Sequence, residues 1–285
     1  ERFVADAFRA MNDFSKLFFR AKKEDGFDIT RFKEFFMLPG DIYDDTRRKV
    51  LHKKIKELKR TKTSLDKEQK KNEDSMIRCV GMTIETRPDH ATKKDCDEML
   101  KLGCTRVELG VQSIDDKVLK KIERGHDVQD TIDATSRLKD MGFKVNYHMM
   151  PGLPKTSVSK DLKMLNDLFE RQEFQPDMLK IYPAMVMQGT KLEKLYKKKK
   201  FRPLTTKKAV ELIADFMLIV PMYVRVMRVQ RDIPSCEVIA GVDRTNLRQY
   251  IDKRLQGSGL EANDIRAWEI KDIRKKIDKK NIAYE

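Results

Sequence analysis

Five short polar segments carry most of the side chains equipped for chemistry in this 285-residue sequence. They are Glu85-Thr86-Arg87-Pro88-Asp89, Gly110-Val111-Gln112-Ser113, His148 to Pro154, Tyr182-Pro183 through Gln188-Gly189-Thr190, and Arg228 to Asp232. In or beside them stand a carboxylate (Glu85), a primary amide (Gln112), a guanidinium (Arg124) and an imidazole (His148). Such a set can bind and orient a polar ligand. No residue is singled out as catalytic. Each member also has a plainer reading. Glu85 and Arg87 can form a rim ion pair, Gln112 can cap the next helix, Arg124 can be a solvated charge, and His148 can be a satisfied interior histidine. Met149, Met150, Met185 and Met187 read as flexible core filling.

These segments follow stretches that read as strands. Apolar runs rich in β-branched residues predict strands over 77–85, 105–109, 143–150, 178–182 and 223–229. Between them, helices are predicted over 92–102, 115–122, 128–141, 157–171, 190–196 and 205–219, two of them ended by Gly103 and Gly142. Repeated βα units require a parallel sheet, open or closed into a barrel, with function at the C-terminal ends of its strands. Upstream, Phe3, Ala7, Met11, Phe14 and Phe18 recur at helical spacing over 2–20. A second short helix within 28–39 is ended by Pro39-Gly40. A long basic helix is predicted over 47–71, with Leu51, Ile55 and Leu58 on one face and frayed after Thr61. The tail, 243–285, reads as helical and charged. The organisation expected is N-terminal helices over 1–76, a barrel portion over 77–235 and a C-terminal extension over 236–285.

Bulk properties narrow the classes. A hydrophobic fraction of 40% suits a globular protein. The longest apolar stretch, near Phe216 to Val224, is too short for a bilayer and is broken by Pro221, so no membrane association is expected. The N-terminus has neither an initiating Met nor a signal core, which reads as a cytoplasmic chain entered partway. Cys79, Cys96, Cys104 and Cys236 form no CxxC pair and read as reduced thiols. The net charge is +15 and unevenly placed: between Arg47 and Lys71, lysine and arginine far outnumber the acids Glu57, Asp66 and Glu68. A field so concentrated favours a polyanionic partner.

Several longer segments occur in a telling order: Thr83-Ile-Glu-Thr-Arg-Pro-Asp89, Gly103-Cys-Thr-Arg-Val-Glu-Leu-Gly-Val-Gln-Ser113, Arg124-Gly-His126, His148-Met-Met-Pro-Gly-Leu-Pro154 and Arg228-Val-Gln-Arg-Asp-Ile-Pro234. Together, over about residues 1 to 270, they resemble the radical S-adenosylmethionine (SAM) domain of the Elongator catalytic subunit family, the tRNA uridine-34 acetyltransferases, in an archaeal-type form. The resemblance implies an α/β fold with a partial TIM-like (β/α) barrel, and a [4Fe-4S] cluster, SAM and acetyl-CoA as cofactors. It implies that a radical derived from SAM activates the acetyl group, which adds to C5 of the wobble uridine on the way to carboxymethyluridine. Motif by motif, it places Gln112 on SAM, Arg124 at the SAM carboxylate, Glu85 at the amino group or ribose, and His148 at a position that holds an acid in some relatives. Its three-cysteine cluster motif would lie upstream of residue 1 and its acetyltransferase domain beyond Glu285. No metal ligand is therefore expected within this chain, which alone should not cleave SAM.

The resemblance makes tRNA the expected polyanion, with other Elongator-type subunits or self-association left open as further contacts. Expected RNA contacts are Lys53, Lys54, Lys56, Lys59 and Arg60 in the basic helix, a second cluster at Lys197, Lys198 and on to Arg202, and a third at Arg225, Arg228 and Arg231. Tyr182 or Tyr223 is placed to stack on a base. Two rival readings stand beside the enzyme: a tRNA-binding scaffold without catalysis of its own, and a radical-SAM enzyme related to coproporphyrinogen dehydrogenase.

Overall fold

A computed structural model describes residues 1–20, 26–59, 63–230, 233 and 237–269. They divide into two units, one of residues 1–82 with 100–103 and one of residues 83–99 with 104 onward. Arg60, Arg231 and Cys236, and most of the predicted tail helix, lie outside the described residues.

In the first unit, α1 (Arg2–Phe18) buries Ala5 and Phe8, which pack with Leu65 of α4 (Leu65–Asn72). A phenylalanine cluster joins α1 to α2 (Ile29–Phe36), with Phe18 edge-on to Phe32 and Phe35 at centroid distances of 5.4 and 5.5 Å. α3 (Asp45–Leu58) begins at Asp44, whose carboxylate accepts from the Thr46 and Arg47 amides. The single long basic helix expected over 47–71 is thus two helices. The apolar stripe that would sustain it ends at Leu58, and Lys59 and Ser64 both have extended backbones. Residues 65–72 do not fray. Glu68 and Asn72 of α4 are buried, and Asn12 of α1 donates to the Glu68 carboxylate (3.0 Å) while accepting from Asn72 (2.8 Å).

The second unit holds a five-stranded parallel sheet: β1 (Thr83–Thr86), β2 (Arg106–Gln112), β3 (Lys144–Met149), β4 (Met178–Ile181) and, after the short β5 (Val186–Met187), β6 (Arg225–Arg228). Its spatial order, β1-β2-β3-β4-β6, follows the chain without reversal. That is the winding of a (β/α) barrel wall, not of a doubly wound sheet with a switch point. The crossovers are helical: α5 (Lys93–Lys101), then α6 (Asp116–Lys121) with α7 (Val128–Asp140), then α8 (Val158–Glu170), then α9 (Lys191–Lys197) with α10 (Thr206–Ile219). The first strand is shorter than expected, because residues 77–82 stay out of the sheet. β5 pairs antiparallel with β7 (Val238–Ala240), a two-strand ribbon too short to leave a sequence pattern. α11 (Leu247–Gln256) buries Leu247, Ile251 and Leu255 in the same core.

Strand alternation sorts the sheet's two faces. Val107, Leu109, Val145, Tyr147, Leu179, Ile181 and Val226 are fully buried in the hydrophobic core with α7, α8 and α10. The register pairs Glu85 with Glu108, Glu108 with Asn146, and His148 with Lys180, so the opposite face is polar along four strands. Among the described residues, no helix is long and apolar enough to cross a membrane.

Candidate active site

The polar face concentrates its charge in one network. Glu108, only 2% exposed in mid-β2, accepts hydrogen bonds from His148 Nε2 (2.7 Å) and from the Lys180 ammonium. Lys180 also donates to Glu85 Oε1 (3.0 Å), so one ammonium bridges two carboxylates that like-charge repulsion would otherwise separate. Arg106 approaches Glu108 from the other side, at 3.5 Å. Burial alone would raise the Glu108 pKa. The hydrogen bonds from His148 and Lys180 outweigh it and hold the carboxyl at about 2. Burial likewise works against the Lys180 ammonium, but its bonds to Glu108 and Glu85 leave its pKa above the ordinary lysine value. Glu85, at the solvent end of the network, keeps most of its side chain exposed.

Glu85, Glu108 and His148 offer three potential metal ligands within 4.8 Å of one another. The arrangement does not suit a cation: Lys180 already neutralises the carboxylates, and His148 Nε2 must carry a proton to donate to Glu108. It suits a ligand that brings its own hydroxyls or amino group to the exposed carboxylate.

At the end of β2 the register shifts and Gln112 turns to φ +69°, which takes its side chain out of strand alternation. Its carbonyl oxygen is anchored by the Met150 amide (2.9 Å). Its side chain is buried, and the Oε1 acceptor has no protein partner. The next helix is capped by Asp115, not Gln112. Nearby, His126 Nε2 donates to the Val111 carbonyl (3.3 Å) while its buried Nδ1 acceptor is also unpartnered. Burial, and then the charge of Arg124, depresses the His126 pKa, so the ring is neutral.

Arg124 is engaged with the main chain: Nε and Nη2 donate to the Gly110 carbonyl oxygen at 3.2 and 2.8 Å. A Cβ on residue 110 would come within 2.4 Å of Nη2, so the guanidinium lies over β2 only because Gly110 has no side chain. Arg124 is therefore not a solvated charge. The Glu85–Arg87 rim pair also fails to form, since Arg87 binds Asp89 (3.0 Å) and Glu85 binds Lys180. The structure thus gathers Glu85 and His148 into one network, puts Gln112 and Arg124 on the neighbouring end of β2, and adds Glu108, Lys180 and His126. The signal for Glu108 and Lys180 was a charged side chain at alternate positions of otherwise buried strands; His126, between α6 and α7, carried no such signal.

The expected RNA contacts fare unevenly. Lys53, Lys56 and Lys59 are exposed on α3 or at its end. Lys54 is not free: it donates to the Phe35 carbonyl (3.3 Å) and sits over the Phe35 ring. Lys197 and Lys198 are both exposed, and Lys197 pairs with Glu193 (2.6 Å). Arg225 opens β6 at the end away from the strand C-termini and pairs with Glu269; Arg228 closes β6, exposed. Tyr182 is buried edge-on to His148 and does not present a face to a base, while Tyr223 is about half exposed.

Residues 20–168 match the model of the Radical SAM superfamily, and residues 176–257 match that of the Radical SAM C-terminal domain. The chain therefore belongs to the radical SAM superfamily. Among its relatives are the tRNA uridine(34) acetyltransferase of Methanocaldococcus infernus, 46% identical over 211 residues (74% of this chain, 40% of the relative), and Elongator complex protein 3 of Homo sapiens, 41% identical over 201 residues (70% and 37%). The solved structure of archaeal M. infernus Elp3, with an N-terminal deletion, superposes at a TM-score of 0.70 with 45% identity, covering 79% of this chain and 52% of that one. The chain spans about two fifths of the length of the curated relatives it matches.

Membership implies SAM and a [4Fe-4S] cluster. The residues at the end of β2 fit SAM: two buried acceptors, Gln112 Oε1 and His126 Nδ1, lack donors that ribose hydroxyls or an amino group would provide. The described cysteines do not fit the cluster. Cys96 and Cys104 are buried, burial pushes both thiols up, and no three cysteines converge among the described residues.

Proposed function

We propose that this chain is the SAM-binding part of a cytoplasmic enzyme that modifies C5 of the wobble uridine of tRNA, with acetyl-CoA as the source of the added carbon. The observation that carries the reading is the Glu85–Lys180–Glu108–His148 network beside the unpartnered amide oxygen of Gln112. Together they offer carboxylate and amide acceptors suited to the hydroxyls and amino group of SAM. SAM, when bound, supplies one-electron carbon chemistry there.

The chain's own residues bind and orient. Gln112 Oε1 accepts from a ribose hydroxyl. Glu85, held by Lys180 but open to solvent, faces the cationic amino group. Glu108 and His148 act one step back, fixing the Lys180 ammonium and so the Glu85 carboxylate. Arg124 keeps the end of β2 in place through the Gly110 carbonyl instead of meeting the SAM carboxylate itself. Lys53, Lys56, Lys59, Lys198 and Arg228, exposed cations, remain proposed contacts to tRNA phosphates.

The test is a nucleoside analysis. The whole protein that contains this chain, reconstituted anaerobically, is incubated with SAM, acetyl-CoA and a tRNA transcript bearing uridine or cytidine at position 34. Carboxymethyluridine is expected from the uridine transcript alone. Deoxyadenosine released without any change in the tRNA would contradict the reading.

A further inference from the structure

Beside the loop that leaves β3 lies a cleft of about 670 Å³, formed by residues 152–158 and by residues 200–204 ahead of α10. Lys121, Lys155, Lys200, Arg202 and Lys208 line it. All five are exposed, and none has an ion-pair partner among the described residues. Some exposed cations elsewhere on this protein, such as Lys163 and Lys191, are paired with carboxylates. The one acid in the lining, Asp161, is turned to structural use. Its two oxygens accept from the Gly152 amide (2.7 Å) and the Thr156 hydroxyl (2.8 Å).

The frame under these charges is fixed. Gly152 has φ +81°, and a Cβ there would come within 2.7 Å of Leu204 Cγ, so the two segments are packed directly against each other. The cleft opens at the C-terminal end of β3, the same end of the sheet as Gln112. It offers no stacking surface, since its one aromatic ring, Phe201, is buried. Hydrated, exposed ammonium groups spread around an open cleft match a phosphate chain that keeps its own water. A small desolvated anion would call for buried, convergent donors.

We infer that this cleft binds the phosphodiester backbone of RNA without reading its bases. The inference rests on the tRNA reading above and deepens it by joining Lys200 and Arg202 of the expected second cluster to Lys121, Lys155 and Lys208 in one cleft. The experiment is a fluorescence-anisotropy titration of a labelled tRNA transcript across a salt series. It uses the wild-type protein, the variant Lys155→Gln/Lys200→Gln/Arg202→Gln/Lys208→Gln, and a control losing the same charge on α5, α7 and α11 (Lys93→Gln/Lys94→Gln/Lys139→Gln/Lys253→Gln).

The cleft variant is expected to bind about tenfold more weakly at low salt, with a slope of log affinity against log salt shallower by about 2, and the control to change far less. A labelled stem-loop of unrelated sequence is expected to lose the same factor. Equal affinity and slope for wild type and cleft variant would overturn the inference while leaving the tRNA reading standing. A wild-type protein that binds no tRNA would overturn both. Inorganic pyrophosphate is the third arm: competition at micromolar concentration would assign the cleft to a small anion and overturn the inference, whereas displacement no better than by sodium chloride of equal ionic strength supports it.

Discussion

A carboxylate in the middle of a buried strand is costly unless its partners are fixed, and at Glu108 they are: His148, Lys180 and Arg106 come from the same strand and its two successors. The consequence is a defined pH dependence. The folded-state pKa of Glu108 is depressed to about 2 from an ordinary 4.5, so its contribution to stability is fully present above pH 4.5 and is lost as pH falls toward 2. In urea unfolding, Glu108→Gln should therefore be less stable than wild type at pH 6, with the difference shrinking steadily as the pH is lowered through 4. A difference independent of pH would show that Glu108 is not held as an anion. At this scale the sequence was half legible. Glu85 and His148 stand in polar segments after strands and invite attention. Glu108 and Lys180 lie inside strands, and only the β2–β3–β4 register shows that they meet.

The elements that carry these residues are tied by close backbone contacts. Gly152 is the sharpest case, combining a left-handed backbone with direct packing on Leu204. Gly152→Ala is expected to cost about 2 kcal/mol, part from the positive φ and part from overpacking, read as a lower urea midpoint with an unchanged slope. An equally stable variant would mean that the segments 152–158 and 200–204 can separate freely, and the cleft would lose its fixed frame. Helix and strand periodicity gave the βα succession well, because each core-facing run is long and apolar. It failed between Leu58 and Leu65, where a dense run of lysines looked continuous. Charge density carries no information about where a helix stops; the end of the apolar stripe at Leu58 and the extended Ser64 ahead of α4 do. The β5–β7 ribbon escaped notice for a related reason, since two- and three-residue strands cannot establish an alternation.

For the whole molecule, the winding order of the sheet decides which end can act. Five parallel strands in chain order leave one face covered by helices and the other lined with Glu85, Glu108, Asn146, His148 and Lys180, with loops gathered at the strand C-termini. The family was legible from ordered motifs. The contact of Arg124 with the Gly110 carbonyl, by contrast, is one that no motif announces. The net charge of +15 pointed to a polyanion, but a sum over the sequence cannot separate paired cations such as Lys197 from unpaired ones such as Lys155.

If the reading is right, the polar face and the end of β2 hold SAM together. Calorimetric titration of SAM into the whole protein that contains this chain, reconstituted anaerobically, decides whether they do. Gln112→Ala and Lys180→Met should each weaken binding about three- to tenfold, the loss of one hydrogen bond or of the support for Glu85, while Lys93→Gln on α5 leaves it unchanged. Folded Gln112→Ala and Lys180→Met proteins that bind SAM as tightly as wild type would show that these residues do not hold it.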